Sequence, residues 1–116
     1  LITDRKKDII IRGGENISAK EVEDILHDHP DIREVAIVAM PHERLGEGVC
    51  AYIVPVSQES TLNTAEVARF ANAALLAKQK IPQHVETVLD LPRTASGKVR
   101  KDVLRRQISD IIQRGR

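Results

Sequence analysis

Two apolar runs, Val35–Met40 and Val49–Val54, constrain this chain more than any other feature. The first reads Val-Ala-Ile-Val-Ala-Met and the second Val-Cys-Ala-Tyr-Ile-Val. Neither alternates apolar with polar, so both read as strands buried on two faces. Pro41 closes the first, Pro55 closes the second, and residues 41–48 join them through a polar stretch containing Gly46 and Gly48. That connection is too short for a helical crossover, so the strands are expected to be antiparallel.

The flanking patterns supply the helices such a sheet needs. Ser18-Ala19-Lys20-Glu21 forms a capping box, with Ser18 as N-cap and Glu21 three residues on. Val22, Ile25, Leu26 and His29 follow on one helical face, and Pro30 ends the helix. Asn63-Thr64-Ala65-Glu66 repeats the capping pattern ahead of a stripe of Val67, Phe70, Ala71, Ala74 and Leu75. A third helix is expected over 102–113, burying Leu104, Ile108, Ile111 and Ile112. Ile9-Ile10-Ile11 before Gly13-Gly14 reads as a short strand and turn opening an N-terminal β-hairpin, and Val85–Leu89 as a further strand. The expected fold is α+β: a small mixed or antiparallel sheet packed with about three helices.

With 116 residues, one domain of modest core is expected. Tyr52 and Phe70 are the only aromatics, so aliphatic side chains must dominate that core. No apolar run approaches the roughly 18–20 residues of a membrane span. The opening Leu1-Ile2-Thr3-Asp4-Arg5 has no signal-peptide pattern and reads as a cut inside a longer protein. The single Cys50 offers no intrachain disulfide, which favours a reducing, cytoplasmic setting. Charge is uneven. Residues 93–116 carry eight Lys/Arg against Asp102 and Asp110, a net +6, and residues 1–92 a net −5. A basic end on an acidic body favours an anionic partner there: a phosphate-bearing small molecule, RNA or an acidic protein surface.

Pro92-Arg93-Thr94-Ala95-Ser96-Gly97-Lys98 carries the most chemistry. Most surface lysines are merely solvated, but the context of Lys98 is unusual. Gly97 lets the backbone turn sharply, Thr94 and Ser96 offer local hydrogen bonds that shape a loop, and an ammonium is a compact charge on a flexible stem. Such a group suits stabilisation of an anionic transition state without forming a covalent bond. The segment is not a phosphate-binding P-loop, because Pro92 and Val99 stand where that pattern needs Gly and Ser/Thr. The turn Arg12-Gly13-Gly14-Glu15-Asn16 presents backbone that a slim ligand can pass, without a dinucleotide fingerprint. His27, His29, His42 and His84 lack zinc-ligand spacing, and no metal site is expected. Ser18 and Ser96 have no sequence neighbours that propose a catalytic triad. A basic tail without interleaved aromatics is poor evidence for nucleic-acid stacking.

Two motifs in order resemble those of the adenylate-forming enzymes. Asp4-Arg5-x-Lys7-Asp8-x-Ile10…Gly14-x-Asn16-Ile17-Ser18-x-x-Glu21-Val22-Glu23 resembles their hinge motif, and Leu91-Pro92-Arg93-Thr94-Ala95-Ser96-Gly97-Lys98-Val99 their C-terminal catalytic-lysine motif. Val35–Met40, the Gly46-Glu47 turn and Tyr52-Ile53-Val54 resemble the intervening small domain, so the likeness covers essentially the whole chain. The Arg-Thr-Ala-Ser and Gly-Gly-Glu-Asn-Ile forms are most similar to acyl-CoA synthetases acting on fatty or other carboxylic acids.

The resemblance implies that residues 1–116 are a mobile C-terminal lid, with hinge segment 4–8 and a large N-terminal nucleotide- and acyl-binding domain beyond this chain. It implies ATP-dependent conversion of a carboxylic acid to an acyl-adenylate, then thioester formation with coenzyme A, with ATP and Mg2+ held mainly by the large domain. Lys98 would contact the reacting carboxylate and phosphate oxygens, and Lys7 would be the hinge with Arg5 beside it. Arg5 and Asn16 would lie near the nucleotide, and Gly13, Gly14 and Glu15 near the pantetheine of coenzyme A. Position 13 is often basic in relatives and is Gly here. Lys98 also matches a site where relatives are acetylated, which would make a lysine acetyltransferase a partner and delete the charge. A different reading from the charge distribution is a non-enzymatic module docking RNA or an acidic protein through 93–116; the resemblance leads to no nucleic-acid partner.

Overall fold

The computed structural model describes residues 8–60 and 62–115. Arg5 and Lys7 therefore lie outside the described residues. Strands β1 (Ile9–Arg12) and β2 (Glu15–Ser18) form the first hairpin. Helix α1 (Ala19–Leu26) leads to β3 (Ile32–His42) and β4 (Gly46–Pro55). Helix α2 (Thr64–Ala73), a 3-10 turn at Lys78–Lys80, β5 (His84–Thr87) and α3 (Lys101–Arg114) complete the chain.

The sheet is mixed. β3 and β4 pair antiparallel from Ile32↔Pro55 to His42↔Gly46. β1 meets β4 antiparallel at Arg12↔Gly46, whereas β5 runs parallel to β4 from Cys50↔His84 to Ile53↔Thr87. β4 is thus the strand on which the sheet depends, and its apolar run fits that place: Val49 to Val54 are all buried. Alternate residues serve two cores. Ile37, Val49, Ala51 and Ile53 pack with Val22 and Leu26 of α1 and Val67 and Ala71 of α2. Ala36, Val38, Cys50, Tyr52 and Val54 pack with Leu104 and Ile108 of α3. Two helices cover one face and one the other, as the uninterrupted apolar runs require.

Several boundaries differ from the sequence expectation. Pro41 does not end β3, which continues to His42. β3 is an edge strand, where a missing N–H leaves no gap in a central ladder. α1 stops at Leu26, short of Pro30, and passes into turns through Asp28 N–H to Ile25 O and His29 N–H to Leu26 O. His29 still packs, its ring 4.7 Å from that of Phe70.

The second helix shows the largest difference. Leu75 was expected on the buried stripe, but it is 91% exposed and Leu76 is buried instead. The Leu76 N–H reaches back to Ala71 O and the Leu75 N–H to Asn72 O, the two bonds of a Schellman C-cap. That motif needs a left-handed residue, and Leu75 supplies it at φ 65°. A leucine there carries a steric cost of about 1–2 kcal/mol. Leu75→Gly is expected to raise stability by about 1 kcal/mol in a chemical-denaturation titration, because the exposed side chain gives up no packing. An unchanged or lowered midpoint would count against this reading of the cap.

Candidate functional site

Lys98 sits at the end of a tight hairpin. Thr94 N–H donates to Lys98 O at 2.8 Å and Gly97 N–H to Thr94 O at 2.9 Å, and Arg93 bridges to Val99. Ala95, Ser96 and Gly97 form the three-residue loop, with Gly97 left-handed at φ 91°, the geometry of a turn closed by a glycine bulge. The Thr94 hydroxyl accepts from Lys98 N–H at 3.1 Å and lies 3.0 Å from Ser96 Oγ. The side chains singled out from the sequence thus shape the loop, leaving Lys98 exposed.

Other residues fix this hairpin to the body. The Arg93 guanidinium donates to Gly97 O at 2.8 Å and pairs with the Glu34 carboxylate on β3. Arg100 N–H donates to Pro92 O at 2.7 Å. Lys101, at the start of α3, places its ammonium 2.7 Å from both Asp8 Oδ1 and Glu23 Oε2. An open groove of about 590 Å³ runs alongside, lined by Asp8, Glu23, Ala36, Lys98, Lys101 and Arg105 among others.

The Gly13-Gly14 turn is built differently. Arg12 pairs with Glu15, and both glycines are left-handed at φ 59° and 86°, as a two-residue type I′ hairpin demands. Gly13 N–H donates to Leu45 O at 2.9 Å, and a Cβ at position 13 would stand 3.1 Å from Leu45 Cδ2. Ile11 N–H donates to Glu47 Oε1 at 2.7 Å. Glu15 and Asn16 are exposed beside the turn, and Glu15 accepts from Gln79 at 3.2 Å. Asp8 borders the Lys98 groove, whereas Gly13 lies five residues on, past the far end of β1. At about 3.3 Å per residue that is roughly 16 Å. The Gly13-Gly14 turn therefore lies at the other end of β1 from Asp8, which shares the groove with Lys98.

The remaining polar groups offer little chemistry. Burial pushes the Cys50 thiol up to about 12 and raises Tyr52 as well, so neither ionises readily. Among the described residues, no group of three or more His, Cys, Asp or Glu side chains converges to hold a metal ion. No described helix is long and apolar enough to cross a membrane. Within the basic segment, Arg93 pairs with Glu34, Arg100 with Asp102, and Lys101 with Asp8 and Glu23. Its surface is less cationic than its composition indicates.

With this geometry in view, comparison with known proteins gives a consistent result. The family described as the AMP-binding enzyme C-terminal domain matches residues 21–98. The chain belongs to that family. This AMP-binding C-terminal domain is 50% identical over 117 residues to the medium-chain fatty-acid–CoA ligase of Escherichia coli K12, covering 97% of the chain and 21% of the relative. It is 42% identical over 111 residues to the vibriobactin-specific 2,3-dihydroxybenzoate-AMP ligase of Vibrio cholerae, covering 96% and 20%. The crystal structure of ATP-bound MatB from Rhodopseudomonas palustris superposes with a TM-score of 0.84 at 40% identity, over 91% of the chain and 21% of MatB. The domain spans about a fifth of the length of these relatives.

The sequence singles out Lys98 and the Gly13-Gly14 turn but not the long-range contacts of Glu34, Glu23 and Lys101. Their partners lie 59, 14 and 93 positions away, in the contacts Arg93–Glu34, Ile37–Glu23 and Lys101–Asp8. No local periodicity marks such pairs.

Proposed function

We propose that this domain is the mobile catalytic lid of an acyl-CoA ligase that activates a carboxylic acid, a fatty acid in the reading its relatives favour, with ATP and then transfers the acyl group to coenzyme A. The observation that carries this is the exposed Lys98, held on a braced hairpin at one end of β1 while the Gly13-Gly14 turn projects from the other. A rotation about the Lys7 segment, with Arg5 beside it, would exchange one end for the other at a shared active site.

In the first half-reaction the carboxylate attacks the ATP α-phosphate and displaces pyrophosphate to give the acyl-adenylate, and the Lys98 ammonium offsets the repulsion between the two anionic groups as they meet. In the second, the bare backbone of Gly13 and Gly14, flanked by Glu15, would face the pantetheine arm, with Asn16 nearer the nucleotide. By the family resemblance, Mg2+ and most ATP contacts are assigned to a large N-terminal lobe. Relatives named for a medium-chain fatty acid, 2,3-dihydroxybenzoate and indoleacetate share this domain. That supports placing acid selectivity in the same lobe.

The test is to incubate the chain alone with ATP, Mg2+, a medium-chain fatty acid and coenzyme A. No thioester is expected, whereas a ligase carrying the domain should turn over. Sustained thioester formation by the isolated chain would overturn the lid assignment.

A further inference from the structure

Lys101 is oddly placed for a helix-starting residue. It opens α3, whose N-cap Arg100 makes no side-chain capping bond and pairs instead with Asp102 of the first turn, so Lys101 is the cation left where the helix dipole favours anions. Yet Lys101 is among the least exposed cations of the domain, its side chain 17% accessible, with its ammonium between two carboxylates. Each partner is anchored in turn. The other Asp8 acceptor, its backbone carbonyl, takes Ala19 N–H at 2.9 Å at the start of α1, and Glu23 Oε2 accepts Ile37 N–H at 2.8 Å from β3. One side chain thus joins the entry to β1, helix α1, strand β3 and the first turn of α3.

The Gly13-Gly14 turn is connected to the hinge segment directly, through β1. The Lys98 hairpin comes some ninety residues later and meets the hinge end of β1 through the Lys101–Asp8 contact. We propose that Lys101 is a positioning residue for the first half-reaction: it transmits the hinge orientation to the Lys98 hairpin, while the coenzyme A-facing turn is set independently of it. This rests on the lid reading above. A partly buried charge between two acids is destabilising to break but is no strong source of stability in itself, which fits a role in geometry.

The experiment uses Lys101→Met in the ligase that carries this domain, with the two half-reactions measured separately. Adenylate formation is expected to fall about ten- to a hundredfold, the scale of an ångström misplacement. KM for ATP and acid should stay within about twofold, and thioester formation from preformed acyl-adenylate within about twofold of wild type. Lys101→Arg, which can still bridge both carboxylates, should recover most of the rate. Should the methionine variant fold poorly by stranding its partners, the double variant Glu23→Gln/Lys101→Met removes the more buried of the two carboxylate charges, leaves the hinge residue Asp8 intact and should show the same selective loss. Equal loss in both half-reactions, or no loss, would overturn the inference. Lys98→Ala, run alongside, separates the failures: if it spares adenylation the lid reading fails, and if it alone abolishes adenylation only the role of Lys101 fails.

Discussion

Replacing Lys98 by alanine in the ligase that carries this domain is expected to slow acyl-adenylate formation by about 10²- to 10³-fold, the usual effect of removing one preorganised charge-stabilising donor. The reason lies in how the residue is presented. Its backbone is closed into a hairpin by the Thr94 and Gly97 bonds, and that hairpin is held to β3 through Arg93 and Glu34. The ammonium is therefore carried on a four-carbon stem from a fixed base, so that meeting a developing anion needs no reorganisation of the loop. Lys98→Arg keeps the charge but replaces a compact ammonium with a planar fork, so only partial recovery is expected. Pyrophosphate release in a single turnover reads the loss, and KM for ATP should move far less than kcat if the contact forms mainly in the transition state. A tenfold or smaller decrease in kcat would show that the charge is supplied elsewhere.

The largest expected effect on stability comes from Ile53→Ala. Ile53 is wholly buried in β4, and its backbone is paired with Val35 on one side and Thr87 on the other. Neighbours on both ladders are fixed by backbone hydrogen bonds, and α1 and α2 close the face above. The cavity has little freedom to collapse, so the cost should lie towards the upper part of the range of about 2–5 kcal/mol for such truncations. In a domain of this size that is a large share of total stability. It should lower the midpoint of a thermal melt by on the order of 10 °C or more. Ile11→Ala provides the comparison, since Ile11 is 53% exposed on the outer hairpin and should shift stability by no more than about 0.5 kcal/mol. Similar effects at the two positions would contradict the assignment of β4 as the centre of the fold.

These two residues show what the sequence made legible. Ile53 belongs to an apolar run without alternation, and burial on both faces follows from that pattern before any helix is placed. The antiparallel pairing of β3 with β4 followed from the short connection, and both caps at Ser18 and Asn63 donate no surprise: each accepts the N–H three residues on. The loop that carries Lys98 was legible because Gly97, Ser96 and Thr94 are turn residues at consecutive or nearby positions. The misreadings have a common origin in tertiary structure. A helical stripe continued to Leu75 on periodicity, but a Schellman cap turned the chain one residue early and exchanged Leu75 for Leu76. Pro41 reads as a strand terminator locally and is tolerated because β3 lies at an edge. Asp8, Glu23 and Lys101 look like ordinary surface charges until the fold brings the entry to β1 beside the start of the last helix.

The most direct measurement is thioester formation from preformed acyl-adenylate and coenzyme A by the Lys98→Ala ligase. A lid that presents opposite ends of β1 in turn has withdrawn Lys98 before the thiol attacks, so the rate should stay within about threefold of wild type while adenylation is lost. A comparable loss in this second step would contradict the division of labour between the two ends of the domain.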